Sequence, residues 1–393
     1  MPIEPRARAP WIAVVGLSLD QLVAWGALYY SYAVLAVPMA HDLAVSTSTV
    51  AAAFSVSLLM GSLLARRIGL LMDRDGARPV LLCGAILGPL ALAGLAIVQG
   101  TTMLLVIFAA LGLAQALSLY EPAFRAIVEW VPDARQRSRA LLVLTALAGL
   151  ASTIFLPLTA FLHAGWGWRT ALLVLATTVA LVTLPIRLLL PRKSPRARDD
   201  LLSACRVAAT TSVSLLSAGF AVQAFAATGA TVCLVWQLVE RGETLQVAAS
   251  LAGLAGASQV PGRLLLSPLS RVLTTAVRLP ALLIVQAGAL VGIATLSGPG
   301  LVACLVIFGA AAGVMTLERA AVVIEWFGDA RFGAGSGQLA STSLFARAGA
   351  PFAIELLHGQ LAYARVLELL AACLVLGSAL IGIATKGQRV ATV

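Results

Sequence analysis

Charge is scarce in this sequence. Only 11% of its 393 residues are Asp, Glu, Lys or Arg, while 60% are hydrophobic. A soluble domain carries roughly a quarter charged residues. So large a deficit excludes a water-facing surface of this size. Mean hydropathy is +0.97. Cysteine offers little: Cys83, Cys205, Cys233, Cys304 and Cys373 share no C-x-x-C or Cys/His spacing, so no metal site is expected. Histidine is confined to His41, His163 and His358. The stretch "GAGSG" at 333–337 has Ala334 where a serine-protease motif needs glycine, and no histidine is placed to serve Ser336. No G-x-x-x-x-G-K-[ST] loop occurs, which argues against ATP-driven work. Neither an enzyme nor a cofactor is expected, and there are no candidate catalytic residues.

What is present is apolar sequence in long runs. A helical membrane span needs about 20 apolar residues. Twelve such runs stand at 11–38, 48–70, 78–99, 101–130, 138–162, 168–190, 208–239, 245–268, 277–297, 300–327, 336–358 and 363–385. They lack the period-2 alternation of barrel strands. The fold class is therefore an all-α polytopic membrane protein with 12 transmembrane helices. The first run is too long for a signal-peptide core and is read as a retained span.

The formal net charge of +10 follows the connections between runs. Arg6 and Arg8 precede the first run. Arg66, Arg67, Arg74 and Arg78 lie around the second connection, Arg135, Arg137 and Arg139 in the fourth, and Arg187, Arg192, Lys193, Arg196 and Arg198 in the sixth. Arg271, Arg278, Arg331, Lys386 and Arg389 continue the pattern, while the odd connections hold only Arg169, Arg241 and Arg365. Positive residues mark the cytoplasmic side. Both termini and all even loops are expected there, in a cell inner membrane. The basic balance needs no nucleic-acid partner.

The sequence also repeats itself. "EWVPDAR" at 129–135 returns as "EWFGDAR" at 325–331. Between them lies the Pro- and charge-rich stretch 191–207. The reading is an N-terminal six-helix bundle at 1–190, a cytoplasmic linker at 191–207 and a C-terminal six-helix bundle at 208–393. The two bundles are expected to be related by pseudo-two-fold symmetry about the membrane normal.

Between the second and third runs stands "GLLMDRDGARP", Gly69 to Pro79. It resembles the signature loop of the major facilitator superfamily, matching at Gly69, Asp73, Arg74, Gly76 and Arg78, with Ala77 and Pro79 atypical. The resemblance implies a central cavity and alternating access. "DQLVAWGALYYSYAVLAVPM", "GWGWR" and "QVPGR" look like the monocarboxylate and oxalate/formate carriers. In that branch an arginine on span eight and a basic residue on span eleven serve anionic substrates, and Arg263 and Arg347 occupy those spans. Gln259 stands where such carriers often have aspartate. "GLASTIFLPL" in span five does not match the motif of proton-antiporting drug exporters.

Charged side chains at membrane depth face a cavity or a partner. Arg347 lies about 16 Å into span eleven at 1.5 Å per residue, with no acid within four positions. It awaits a substrate carboxylate or an acid from another helix. Arg263 is nearer the cytoplasmic end and is placed to snorkel or to bind substrate. Gln21, Trp25 and Tyr29 form a stripe on span one that lines a cavity or packs against a neighbour. Tyr32 continues that stripe and is assigned to an interfacial aromatic belt. Gln223 is the corresponding polar residue on span seven. Glu121 and Arg125 have the i,i+4 spacing of an intrahelical pair. With Asp20, Glu318 and Arg319 they are candidates for proton coupling or gating. Asp73, Arg74, Arg78, Glu129, Arg135, Arg271, Glu325 and Arg331 are candidates for a cytoplasmic gate. The expected function is secondary transport of a small, monocarboxylate-like organic anion. The alternative is a proton-antiporting efflux carrier for drugs or other toxic solutes. Expected partners are a small-molecule substrate, protons and the bilayer, for a monomeric chain.

Overall fold

The structure is a computed structural model. It describes residues 11–131, 133–191, 211–266, 273–327 and 332–391. Every element named in it is helical. Span one is α1 (Trp11–Trp25), a π-helical turn (Gly26–Tyr30) and α2 (Ser31–Asp42). Spans two and three are α3 (Thr47–Asp75) and α4 (Ala77–Ala96). Span four is α5 (Thr101–Ser118) followed by α6 (Tyr120–Trp130). Spans five and six are α7 (Ala134–Ala148) and α8 (Ala151–Leu189). The second half runs through α9 (Thr211–Glu240), α10 (Leu245–Leu266), α11 (Thr275–Thr295), α12 (Gly298–Phe327), α13 (Phe332–His358) and α14 (Tyr363–Ala391).

Nine stretches among the described residues are long and apolar enough to cross a membrane. One of them, Arg135–Leu189, has 55 residues, and Gly167 at φ 77° breaks it into two passes. With α10 and α13 the chain makes twelve passes. Ile12, Leu189 and Leu181 point outward and are 92%, 85% and 70% exposed. In water that surface would be a liability, whereas lipid accepts it.

The two halves repeat one packing scheme. In the first, α3 packs on α5, α4 on α5 and on α8, and α1 on α7 and α8. In the second, α10 packs on α12, α11 on α12 and on α14, and α9 on α13 and α14. Glycine enforces the repeat at equivalent places. A Cβ on Gly112 of α5 would overlap the Ser57 carbonyl of α3, and a Cβ on Gly309 of α12 would overlap the Ala255 carbonyl of α10. Small residues allow backbones this close where no hydrophobic force draws helices together. The halves meet through α3 against α13, α8 against α10 and α2 against α9.

Candidate functional site

Three local irregularities shape the middle of the molecule. The first is the π-turn at Gly26–Tyr30, which inserts one extra residue per turn into span one. Gln115 Nε2 donates to the Leu28 carbonyl within it at 2.7 Å. A side chain at Gly26 would collide with the Phe155 ring. The second is the break in span four at Leu119 (φ −83°, ψ −155°). It releases the Ser118 carbonyl, which accepts from Gln21 Nε2 at 2.7 Å and Arg187 Nη2 at 3.4 Å. Free backbone groups at membrane depth must find such partners. The third is Pro261 within α10, two residues before Arg263.

These irregularities gather rings and arginines at the seam between the halves. Trp25 lies 4.8 Å from Tyr120 and 5.3 Å from Tyr29, centroid to centroid. Tyr30 lies 5.2 Å from Tyr29, and Tyr120 stacks on Phe124 at 5.0 Å. The Arg347 guanidinium stands over the Tyr29 ring at 5.9 Å. Arg263 and Arg347 both act electrostatically on the phenols of Tyr30 and Tyr120. Arg319 is within range of Arg347 and of Glu121, which sits in the first turn of α6. Trp25, Tyr29, Arg263, Arg319, Arg347 and Glu121 therefore belong to one region. Tyr30 and Tyr120 join them, and the sequence reading missed both. The adjacent "YY" and the Tyr120–Glu121 pair were the signals available.

The three arginines differ in how they are held. Arg263 is buried and does not snorkel. It donates to the Thr145 carbonyl of the first half at 2.6 Å, to the Gly313 carbonyl at 3.2 Å and to Gln259 Oε1 at 3.2 Å. Arg347 and Arg319 have no carboxylate within ion-pair distance among the described residues. Gln223 is half-buried on α9, without a side-chain hydrogen bond among the described residues.

Other expectations need correction. Asp20 and Gln21 are fully buried inside the first half, so for Gln21 packing against neighbours holds. Asp20 holds Arg187, with Nε to Oδ1 at 2.7 Å and Nη2 to Oδ2 at 3.1 Å. Arg187 lies within α8, 1% exposed, and does not belong to the sixth connection. Arg125 pairs with Glu129 at 3.2 Å and Asp73 at 3.2 Å, so the Glu121–Arg125 pair is replaced by the other i,i+4 choice. Glu318 pairs with Arg278 at 2.6 Å. Tyr32 is 6% exposed and stacked on Phe54 at 3.8 Å, a core position and not a lipid-interface belt.

At the face carrying the signature loop, Glu129 accepts from the Ala77 backbone N–H at 3.2 Å, at the start of α4. Its twin Glu325 accepts from the Thr275 hydroxyl at 2.5 Å, at the start of α11. Each glutamate reaches the N-terminus of the third helix of its half, where a negative charge is favoured. Asp133 of the repeated phrase caps α7, accepting from Gln136 N at 2.8 Å. Arg78 caps α8 through the Leu188 carbonyl at 2.5 Å, while the exposed Arg74 pairs with its neighbour Asp75, at 3.1 Å. Gly76 takes φ 86°, a left-handed value that suits glycine, between α3 and α4. Arg135 is exposed. Arg271 and Arg331 lie outside the described residues.

A groove of about 430 Å³ opens at the other face, lined by His41, Asp42, His163, Trp168, Trp236 and neighbours. It holds none of the three arginines. No cluster among the described residues has the makings of a metal site.

A model of the Major Facilitator Superfamily matches residues 21–351. The chain belongs to this superfamily. No curated protein matches it. Two solved structures of a bacterial homologue of the human lysosomal transporter Spinster share the fold. The inward-facing, occupied form has a TM-score of 0.76 at 14% identity, covering 98% of both chains. The inward-facing, unoccupied form has a TM-score of 0.74 at 15% identity, again covering 98% of both. The chain is thus a multi-pass membrane transporter of a small molecule, and the charged residues above lie within a transporter fold.

Proposed function

We propose that this transporter carries a small organic anion by alternating access between its two six-helix halves, 1–190 and 208–393, across the linker 191–207. One observation carries the reading. Arg263, Arg319 and Arg347 converge on a seam where Glu121 is the one acid among the described residues. Two positive charges are left unbalanced beside aromatic rings. A desolvated cation needs an anion, and arginine suits a carboxylate through two parallel hydrogen bonds. The likeness of spans one, six and eight to monocarboxylate and oxalate/formate carriers supports the same class. The test is a thermal-shift screen of the purified protein against aliphatic and aromatic carboxylates and against hydrophobic cations. Stabilisation by carboxylates alone is expected. Stabilisation by the cations alone would overturn the reading.

The same reading assigns Asp73, Arg74, Arg78, Glu129, Arg135 and Glu325, with Arg271 and Arg331, to a gate at the face carrying the signature loop. Glu129 and Glu325 anchor it, because each ties its helix to the start of the third span. The hydrogen bonds of the buried Glu129 contribute about 1.5–3 kcal/mol and that of the exposed Glu325 about 0–1 kcal/mol, together enough to bias two states separated by a few kcal/mol. Glu129→Gln with Glu325→Gln is expected to widen that mouth, more than either change alone. Spin-label distances across it report the effect. Unchanged distance distributions in the double variant would remove the gate.

A further inference from the structure

Four carboxylates are buried among the described residues: Asp20, Glu129, Glu318 and Glu355. Three have a guanidinium partner, namely Arg187, Arg125 and Arg278 respectively. Glu355, 6% exposed on α13, has none among the described residues. Its Oε1 accepts from the Tyr363 hydroxyl at 2.7 Å, and its Oε2 is buried without a hydrogen-bond partner among the described residues. An ionised carboxylate with one phenol donor in an apolar bundle is poorly compensated, whereas the neutral acid is not.

The surroundings indicate what such a group would do. Tyr32 on α2 and Cys233 on α9 are both within electrostatic range of Glu355. Next to Tyr32, the Ala33 carbonyl accepts from Trp236 Nε1 of α9 at 2.8 Å. This bond joins the two halves at the face opposite the signature loop. A route outward is also present. The His358 ring stacks on Tyr363 at 3.7 Å, and His358 Nε2 lies 3.6 Å from Glu240 Oε1, near the surface.

We propose that Glu355 is a proton-binding site whose occupancy is coupled to closure of the seam between spans one and seven. With a proton on Oε2 the group is neutral, and the packed seam tolerates it. Without the proton, the carboxylate is better served where water reaches it, so the seam opens. Linkage then runs both ways: closing the seam favours proton uptake, and opening it favours release. The proton comes from and returns to the aqueous phase, and no other bond changes. The other titratable groups facing this site are few. They are Tyr32, Cys233, Glu240 and Tyr363 from neighbouring helices and His358 on α13 itself. Span two brings none over residues 47–65. Span ten brings Cys304, which packs on Gly292. Arg347 is about 12 Å away along α13 at 1.5 Å per residue.

The test needs no transported substrate. Spin labels are placed at Ala44→Cys and Glu243→Cys, in a background with the five native cysteines replaced. Distances are read from about pH 4 to about pH 9. The parent is expected to pass from short to long distances as pH rises. Glu355→Gln is expected to stay short throughout, Tyr363→Phe to move the midpoint without abolishing the transition, and His358→Gln to leave it in place. If Glu355→Gln folds poorly, Glu355→Asp serves with infrared detection of the protonated carboxyl stretch, which should titrate together with the distance change. A parent without pH response, a Glu355→Gln variant that keeps the parent's response, or loss of the response in His358→Gln alone would overturn the assignment.

Discussion

Asp20→Asn is expected to destabilise the first half by about 3–5 kcal/mol, the usual cost of breaking a buried ion pair from one side. The carboxylate is fully buried and Arg187 is 1% exposed. The guanidinium is held on several sides: by Asp20, by the Leu81 carbonyl at 2.6 Å and by Ser118 Oγ at 3.0 Å. These contacts tie span six to spans one, three and four. Neutralising Asp20 leaves a full positive charge among apolar side chains with only neutral acceptors. Arg187→Leu should cost a similar amount, because among the described residues Asp20 then keeps only the Gln21 amide at 3.1 Å. Removing both charges, Asp20→Leu with Arg187→Leu, should recover much of the loss, since neither charge is then stranded. Thermal unfolding in detergent, followed by size-exclusion of the soluble fraction, reads all three. Wild-type midpoints in both single variants would show that the pair does not hold this half together.

Arg347→Ala is expected to weaken binding of the best carboxylate from the screen by about 10- to 150-fold. That range is the 1.5–3 kcal/mol of a charged hydrogen bond converted to affinity. Arg347→Lys should fall close to it, because an ammonium lacks the planar fork. Thermal stability without ligand should hardly move in either variant. Arg347 has no carboxylate to strand among the described residues, and its named contact is the Tyr29 ring. Arg263→Ala should behave differently. It strands acceptors in both halves, at Thr145 and Gly313, so stability and affinity should fall together. Calorimetry beside thermal unfolding separates the two patterns. Undiminished carboxylate affinity in Arg347→Ala would remove this residue from the site.

The contrast between these arginines marks how far the sequence could be read. Twelve spans, the duplication and the signature loop were legible, because hydropathy and repetition are properties of the chain alone. That Arg347 has no acid within four positions on its own span was legible for the same reason. Arg187 was not, because hydropathy cannot distinguish a basic residue at the end of a span from one pulled inside by an acid 167 positions away. Arg125 had a glutamate four residues to either side, and spacing alone does not choose between them. Tyr30 and Tyr120 depend on a π-turn and on a break at Leu119. Both shift the angular register that a regular helix would impose. Glu355 was hidden because its character lies in what its neighbours lack.

Gly112 and Gly309 have a mechanical consequence. Where one helix rests its backbone directly on another's carbonyl, the pair has no side-chain cushion to compress or slide on. Spans two and four are fastened in this way, and so are spans eight and ten. Each half is then stiff along its own diagonal, like a braced frame. In the alternating access proposed above, slip between the halves is taken up where they meet, with α3 along α13, α8 along α10 and α2 along α9. The first two crossings would be its bearings. Both involve a helix that is also fastened, α3 in one frame and α10 in the other, so a push on either bearing is delivered to a whole half at once.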